Sequence, residues 1–196
     1  GTYTATLTII NAYGCTDTAK RKVVVLPNTL LGLIMASGPL KLCEGDSVKL
    51  NAIASGGYPA YKYFWSSLDT TQFVWAKQTG NYNVEFTDSK GCYYLTGNTN
   101  VLAKTRPHPN IIGPKDVCKN QQYSFVANYP NLPGASFSWL MDGAPQFVNN
   151  NTINIGMYSI TPGSHQLVVT VMSPDTCFGS DTLNFTLHPN PNVNIV

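Results

Sequence analysis

Five cysteines, Cys15, Cys43, Cys92, Cys118 and Cys177, are the residues of this chain best able to do chemistry. Cysteines pair as disulfides, act singly as nucleophiles, or hold zinc beside histidine. No Cys-x-x-Cys occurs, and His108, His165 and His188 do not stand at ligand spacing, so no metal or cofactor is expected. Two patterns organise the cysteines instead. Leu42-Cys43-Glu44-Gly45-Asp46-Ser47-Val48 parallels Val117-Cys118-Lys119-Asn120-Gln121-Gln122-Tyr123, and a tryptophan follows each cysteine, Trp65 at 22 positions and Trp139 at 21. The other three cysteines close glycine-led segments that begin at Gly1, Gly80 and Gly163, at offsets of 14, 12 and 14.

These two patterns in register pair Cys43 with Cys92 and Cys118 with Cys177. Cys15 is then left unpaired by truncation, because the first half of its module would precede residue 1. Each expected bridge closes a loop of roughly 50 to 60 residues, for which loop-closure entropy gives about 4 kcal/mol. Disulfides of this kind persist in oxidising compartments, which points to an extracellular location.

Other reactive groups are dispersed. The ten carboxylates are scattered, and Asp46, Asp69, Asp88, Asp142 and Asp175 lie in turn-like stretches. Asx hydrogen bonding accounts for such positions, with calcium as the alternative. No nucleophile elbow, phosphate loop or His-Glu-x-x-His occurs, so no catalytic residue is assigned and the chain is not read as an enzyme. Trp75 is a candidate surface contact. In Phe73-Val74-Trp75-Ala76-Lys77 the small apolar Val74 and Ala76 suit an inner face, leaving Phe73, Trp75 and Lys77 outside.

The elements that would position these groups are strands. Tyr3, Ala5, Leu7 and Ile9 alternate with Thr4, Thr6 and Thr8, the period of a half-buried strand, and no segment shows a capped 3.6-residue repeat. Tyr63, Trp65, Tyr82, Phe86, Phe125, Phe137, Trp139 and Phe185 stand at alternating strand positions and read as core. Hydrophobic residues make up 43% of the 196 and charged residues only 11%, against roughly 25% charged in ordinary soluble domains. A net charge of +2 with no basic cluster longer than Lys20-Arg21-Lys22 argues against nucleic acid as a partner. The most apolar stretch, Leu30 to Ala36, is far shorter than the ~20 residues of a membrane span. Proline clusters at Pro27, at Pro107 and Pro109, and at Pro189 and Pro191 divide the chain. The expected divisions are a C-terminal remnant of a module at 1–26, a module at about 30–104, another at about 110–188, and the first strand of a further one at 192–196. With no signal peptide at its start, the chain is read as an internal piece of something longer.

At this level the sequence resembles known repeats. Ala36-Ser37-Gly38-Pro39, Cys43-Glu44-Gly45-Asp46-Ser47-Val48-Lys49-Leu50, Trp65-Ser66, Gly80-Asn81-Tyr82-Asn83-Val84 and Asp88-Ser89-Lys90-Gly91-Cys92 resemble the Ig-like repeats of Bacteroidota surface proteins. Ile111-Ile112-Gly113-Pro114-Lys115-Asp116-Val117-Cys118 and Pro133-Gly134-Ala135-Ser136-Phe137-Ser138-Trp139 are similar to the PKD-like modules of the same proteins, and Asn11-Ala12-Tyr13-Gly14-Cys15 to the end of such a module. The resemblance implies an all-β fold of tandem Ig-like and PKD-like β-sandwich modules, end to end. It also implies type IX secretion and display on the bacterial cell surface, as in gliding-motility adhesins of the SprB type. The expected partners are adjacent modules of the same chain, the secretion and surface-attachment machinery, and a polysaccharide. Asp17-Thr18, Asp46-Ser47, Asp69-Thr70 and Asp181-Thr182 resemble the Asp-Ser/Thr O-glycosylation motif of such exported proteins, which marks Thr18, Ser47, Thr70 and Thr182. The expected role is a structural repeat segment, with a glycan- or protein-binding module or an accessory region of a secreted enzyme as alternatives. Unlike antibody domains, whose bridge joins mid-strand positions, each staple here is expected to tie one end of a sandwich.

Overall fold

A computed structural model describes residues 1–130 and 132–191; the expected strand at 192–196 lies outside them. The described residues form nineteen β-strands and no helix. They divide into two compact units. The first comprises Gly1–Leu40, Ser47–Ala76 and Gly80–Val101; the second comprises Lys41–Asp46, Lys77–Thr79 and the chain from Leu102 onward. Lys41–Asp46 and Lys77–Thr79, expected within the 30–104 module, therefore group with the second unit.

In the first unit, β1 (Thr2–Ile10) and β2 (Thr16–Val24) pair antiparallel with each other alone. Every residue from Gly1 to Thr29 is exposed, so Tyr3, Ala5, Leu7 and Ile9 are not half-buried as their alternation suggests. Two strands without a second layer have nothing to bury an apolar face against. Beyond Thr29 the layers appear. The strands β3 (Leu31–Ala36), β5 (Val48–Ser55) and β7 (Phe73–Ala76) form one antiparallel sheet in that order. A second sheet has β9 (Val84–Thr87) between β10 (Tyr93–Leu95) and β6 (Lys62–Trp65). Val48, Leu50, Ala52, Val74 and Ala76 of the first sheet are buried, as are Trp65, Val84 and Phe86 of the second. The sheets meet at Gly32, where a Cβ would overlap the ring of Phe86. Trp65 is fully buried, and its indole N–H donates to the Thr71 carbonyl at 2.8 Å. Tyr63 and Tyr82 are only half-buried. The strand β8 (Gly80–Tyr82) pairs antiparallel with residues 99–101 of β11 (Thr99–Lys104).

In the second unit, β12 (Ile111–Ile112), β14 (Gln122–Ala127) and β17 (Thr152–Gly156) form a three-stranded sheet. Facing it is a five-stranded sheet ordered β13 (Asp116–Cys118), β19 (Phe178–His188), β18 (Gly163–Met172), β15 (Ser136–Met141), β16 (Ala144–Gln146). One core joins them: Phe125, Ile153 and Ile155 from the small sheet, and Phe137, Trp139, Leu167, Val169, Val171, Phe185 and Leu187 from the large one. Burial alternates strictly along β18, where Leu167, Val169 and Val171 point inward between Gln166, Val168 and Thr170. Two antiparallel-rich sheets with alternating inner faces and a central tryptophan constitute an immunoglobulin-like β-sandwich. The strand β4 (Lys41–Cys43) runs parallel to residues 102–104 of β11, as β13 runs parallel to the end of β19. Pro107 and Pro109, in the cluster read from the sequence as a division of the chain, are buried.

Candidate functional site

A disulfide is the principal chemical feature, and its pairing corrects the expected one. Cys43 is bonded to Cys177, with Cα atoms 5.5 Å apart and 134 positions of chain between them. Cys92 and Cys118, expected to pair with Cys43 and Cys177, are free thiols, as is Cys15. The register of the repeat identifies equivalent cysteines, but it carries no information on which sulfurs approach in space.

Cys43 ends β4, and Cys177 closes the turn between β18 and β19. Around the bond, Arg106 donates from Nε to the Glu44 carbonyl at 2.7 Å, from Nη2 to Asp46 Oδ1 at 2.8 Å, and from Nη1 to the Phe178 carbonyl at 3.4 Å. Lys104 Nζ lies 3.4 Å from Asp175 Oδ2. Gly179 is needed here, because a Cβ would collide with the Pro107 carbonyl. The ion pairs are exposed and each is worth about 0–1 kcal/mol, so the covalent bond dominates the clamp.

A second feature is an exposed apolar face in the first unit. On the outer side of the β3–β5–β7 sheet, Leu33 (50% exposed) faces Ile53, Met35 (55%) faces Asn51, Asn51 faces Phe73, and Lys49 faces Trp75 (55%). Lys49 Nζ sits 3.9 Å from the centroid of the Phe73 ring, a cation–π contact. Val74 and Ala76 are buried while Phe73 and Trp75 are exposed, the alternation read from the sequence. Lys77 belongs to the second unit, and the cation against this face is Lys49. The aliphatic part escaped sequence reading because Leu31 to Ala36 is apolar, or glycine, at every position and so shows no period that separates inside from outside.

Thr18, Ser47, Thr70 and Thr182 are all exposed, as attachment of a sugar requires. Of the turn aspartates, Asp46, Asp142 and Asp175 make ion pairs with Arg106, His165 and Lys104, whereas Asp88 serves local geometry by accepting backbone N–H groups from Tyr58, Lys90 and Cys92. Burial pushes its carboxyl up, but these hydrogen bonds outweigh it and hold the pKa below the ordinary 3.8. Among the described residues no group of three or more His, Cys, Asp or Glu converges as a metal site would need.

His165 and Asp142 form the best-placed ion pair. His165 Nδ1 lies 2.7 Å from Asp142 Oδ2, and Nε2 lies 2.8 Å from the Thr161 carbonyl. Burial pushes His165 down, yet its hydrogen bonds to Asp142 and Thr161 and the Asp142 charge raise it above 6.5. Burial pushes Asp142 up, yet the Gln166 N–H and His165 bring it below 3.8. The raised histidine contributes stability that is fully present below pH 6.5 and lost as pH rises through its folded pKa. The lowered aspartate contributes stability that is present above pH 3.8 and lost as pH falls through its folded pKa. The pair therefore supports the second unit most strongly between these two values. Calorimetry is expected to show a lower melting temperature for this unit at about pH 8.5 than at about pH 6, a difference that His165→Gln removes.

No protein-family model and no curated protein matches the chain. Solved structures do resemble it. The fibronectin(III)-like modules of Clostridium thermocellum CbhA match at 12% identity and a TM-score of 0.39, over 84% of this chain and 100% of that one. Extracellular domains 3–5 of Drosophila OTK match at 12% identity and 0.49, over 96% and 71%. Immunoglobulin domains 1–4 of Sidekick-1 match at 13% identity and 0.46, over 94% and 57%. Likeness at this level carries no inference about activity.

Proposed function

We propose that this chain is a structural repeat segment of a long secreted bacterial cell-surface adhesin or filament, spacing and presenting adhesive regions. The supporting observation is the cystine between Cys43 and Cys177. Such a bond belongs to an oxidising compartment, which favours an exported protein. It also shortens the path of a pulling force. Tension entering at Cys43 crosses the sulfur–sulfur bond to Cys177, so residues 44–176 bear no load through their own backbone. A spacer built this way resists extension even when a sandwich loosens. Type IX export, attachment at the surface of a Bacteroidota cell, and sugars on Thr18, Ser47, Thr70 and Thr182 belong to the same reading.

Force extension of single chains held at the two ends tests it. Without reductant, the chain is expected to withhold the length stored between the bonded cysteines. With reductant it should gain roughly 450 Å, from 134 residues at about 3.4 Å each. Full extension without reductant would sink the spacer reading.

The face of Leu33, Met35, Ile53, Phe73 and Trp75 favours a second reading, a module that binds a polysaccharide or protein directly. Gel retardation by soluble polysaccharides is then expected, and Trp75→Ala should weaken it by about thirtyfold, near 2 kcal/mol. Absence of retardation by every polysaccharide, or retardation unchanged in the variant, counts against glycan binding at this face.

A further inference from the structure

The three free cysteines are not structurally miscellaneous. Cys15, Cys92 and the bonded Cys177 each close the same five-residue turn. In each, the residue four before the cysteine donates its N–H to the cysteine carbonyl: Asn11 at 3.0 Å, Asp88 at 2.9 Å and Ser173 at 2.8 Å. The same residue's side-chain oxygen accepts the cysteine N–H, at 3.0, 2.9 and 3.2 Å. Its carbonyl accepts the N–H of the residue just before the cysteine, which has positive φ in all three: Gly14 at 80°, Gly91 at 82° and Thr176 at 65°.

Cys118 corresponds in the same way to the bonded Cys43. Each ends a three-residue strand that runs parallel to the last strand before a proline cluster, Cys43 opposite Lys104 and Cys118 opposite His188. The residue after each donates its N–H to that opposite residue's carbonyl, Glu44 to Lys104 at 2.7 Å and Lys119 to His188 at 3.0 Å. Two positions after each cysteine the backbone turns through positive φ, at Gly45 and Asn120. Both bonded cysteines lie in the second unit, but by the repeats read from the sequence the pair joins the entry-strand cysteine of the 30–104 repeat to the hairpin-turn cysteine of the 110–188 repeat.

We propose that this is the rule of the array: each entry cysteine bonds the hairpin cysteine of the next module, making a ladder of overlapping staples. Cys118 is the donor half of the next rung, whose partner is the hairpin cysteine of a following module of the same build. Cys92 and Cys15 are the acceptor halves of rungs that begin in preceding modules. At the observed spacing of 134 positions, all three partners fall outside residues 1–196. This inference rests on the reading of the chain as part of a repeat.

Each rung forms by thiol–disulfide exchange with a disulfide donor, such as oxidised glutathione. The Cys118 thiolate attacks one donor sulfur to give a mixed disulfide and release one thiol. The partner thiolate then attacks the Cys118 sulfur and expels the second. Two protons and two electrons pass from the cysteines to the donor.

The test extends the chain with its own modules. In one protein, residues 1–191 are followed by a second copy of 108–191; in another, residues 1–189 are followed by a second copy of 28–107. Both are refolded in a glutathione redox buffer, alkylated and mapped without reduction. The Cys43–Cys177 peptide reports that the parent segment has folded. The expected result is loss of Cys118 alkylation, with Cys118 recovered bonded to the appended Cys177 in the first protein and the appended Cys92 in the second. An alkylated Cys118 in both, beside an intact Cys43–Cys177 bond, overturns the ladder. So does a Cys118 bond to Cys15 or Cys92 of the parent segment. Disulfide-linked dimers through Cys118 in the unextended chain, with none of the intramolecular bond in the extended ones, would assign the thiol to pairing between copies and overturn the ladder as well. Thiol mapping reads connectivity alone, so it succeeds or fails independently of the force measurement.

Discussion

Cys43→Ser is expected to lower the stability of the second unit by about 2–5 kcal/mol, the range seen when a native disulfide is removed. Chain entropy alone puts the closure of a 134-residue loop near the upper end, at about 5 kcal/mol. Cys177→Ser should match it, and the double variant should add little, because both remove one bond. Denaturant titration of the second unit checks the magnitude. Thiol titration of the unfolded, unreduced protein checks the connectivity: Cys15, Cys92 and Cys118 should react, giving three thiols. A single reactive thiol would show a second bond, and only Cys43–Cys92 and Cys118–Cys177 peptides on unreduced mapping would restore the pairing of each entry cysteine with the hairpin of its own module. The effect exceeds that of any surrounding polar contact because Arg106, Asp46, Lys104 and Asp175 are all partly exposed, where charges are well screened.

Trp139→Ala should cost the second unit about 3–5 kcal/mol. The indole is fully buried in the core that also holds Phe125, Phe137, Val169 and Phe185, so truncation leaves a cavity that two hydrogen-bonded sheets are poorly able to close. Its N–H also donates to the Asn150 carbonyl at 2.9 Å, and removal strands that acceptor. Trp139→Phe separates the contributions. It keeps most of the ring volume but loses the hydrogen bond, and a cost of about 1–3 kcal/mol is expected. Calorimetry of both variants provides the check. A Trp139→Ala protein as stable as the parent would mean that the two sheets do not share this core. Trp65 stands in the same relation to the first unit, buried and donating to the Thr71 carbonyl.

What could be read from the order of residues is local. The alternation of Leu167, Val169 and Val171 with polar or solvent-side neighbours dictates a strand with one buried face. The pattern of Val74 and Ala76 against Phe73 and Trp75 does the same, because side chains on a strand alternate sides whatever the strand packs against. Both core tryptophans were legible for that reason, and so was the all-β class. Alternation says that a face could be buried, but only a second layer buries it. Tyr3, Leu7 and Ile9 alternate as well as any residues in the chain, yet lie exposed on a two-stranded sheet. Leu33 and Met35 sit in a stretch with no polar marker, so only the position of the opposing sheet decided that they face outward. The sulfur connectivity was decided the same way. Five cysteines in register permit several pairings, and a disulfide needs Cα atoms within about 7 Å, a distance set by how the chain folds back on itself rather than by spacing along it.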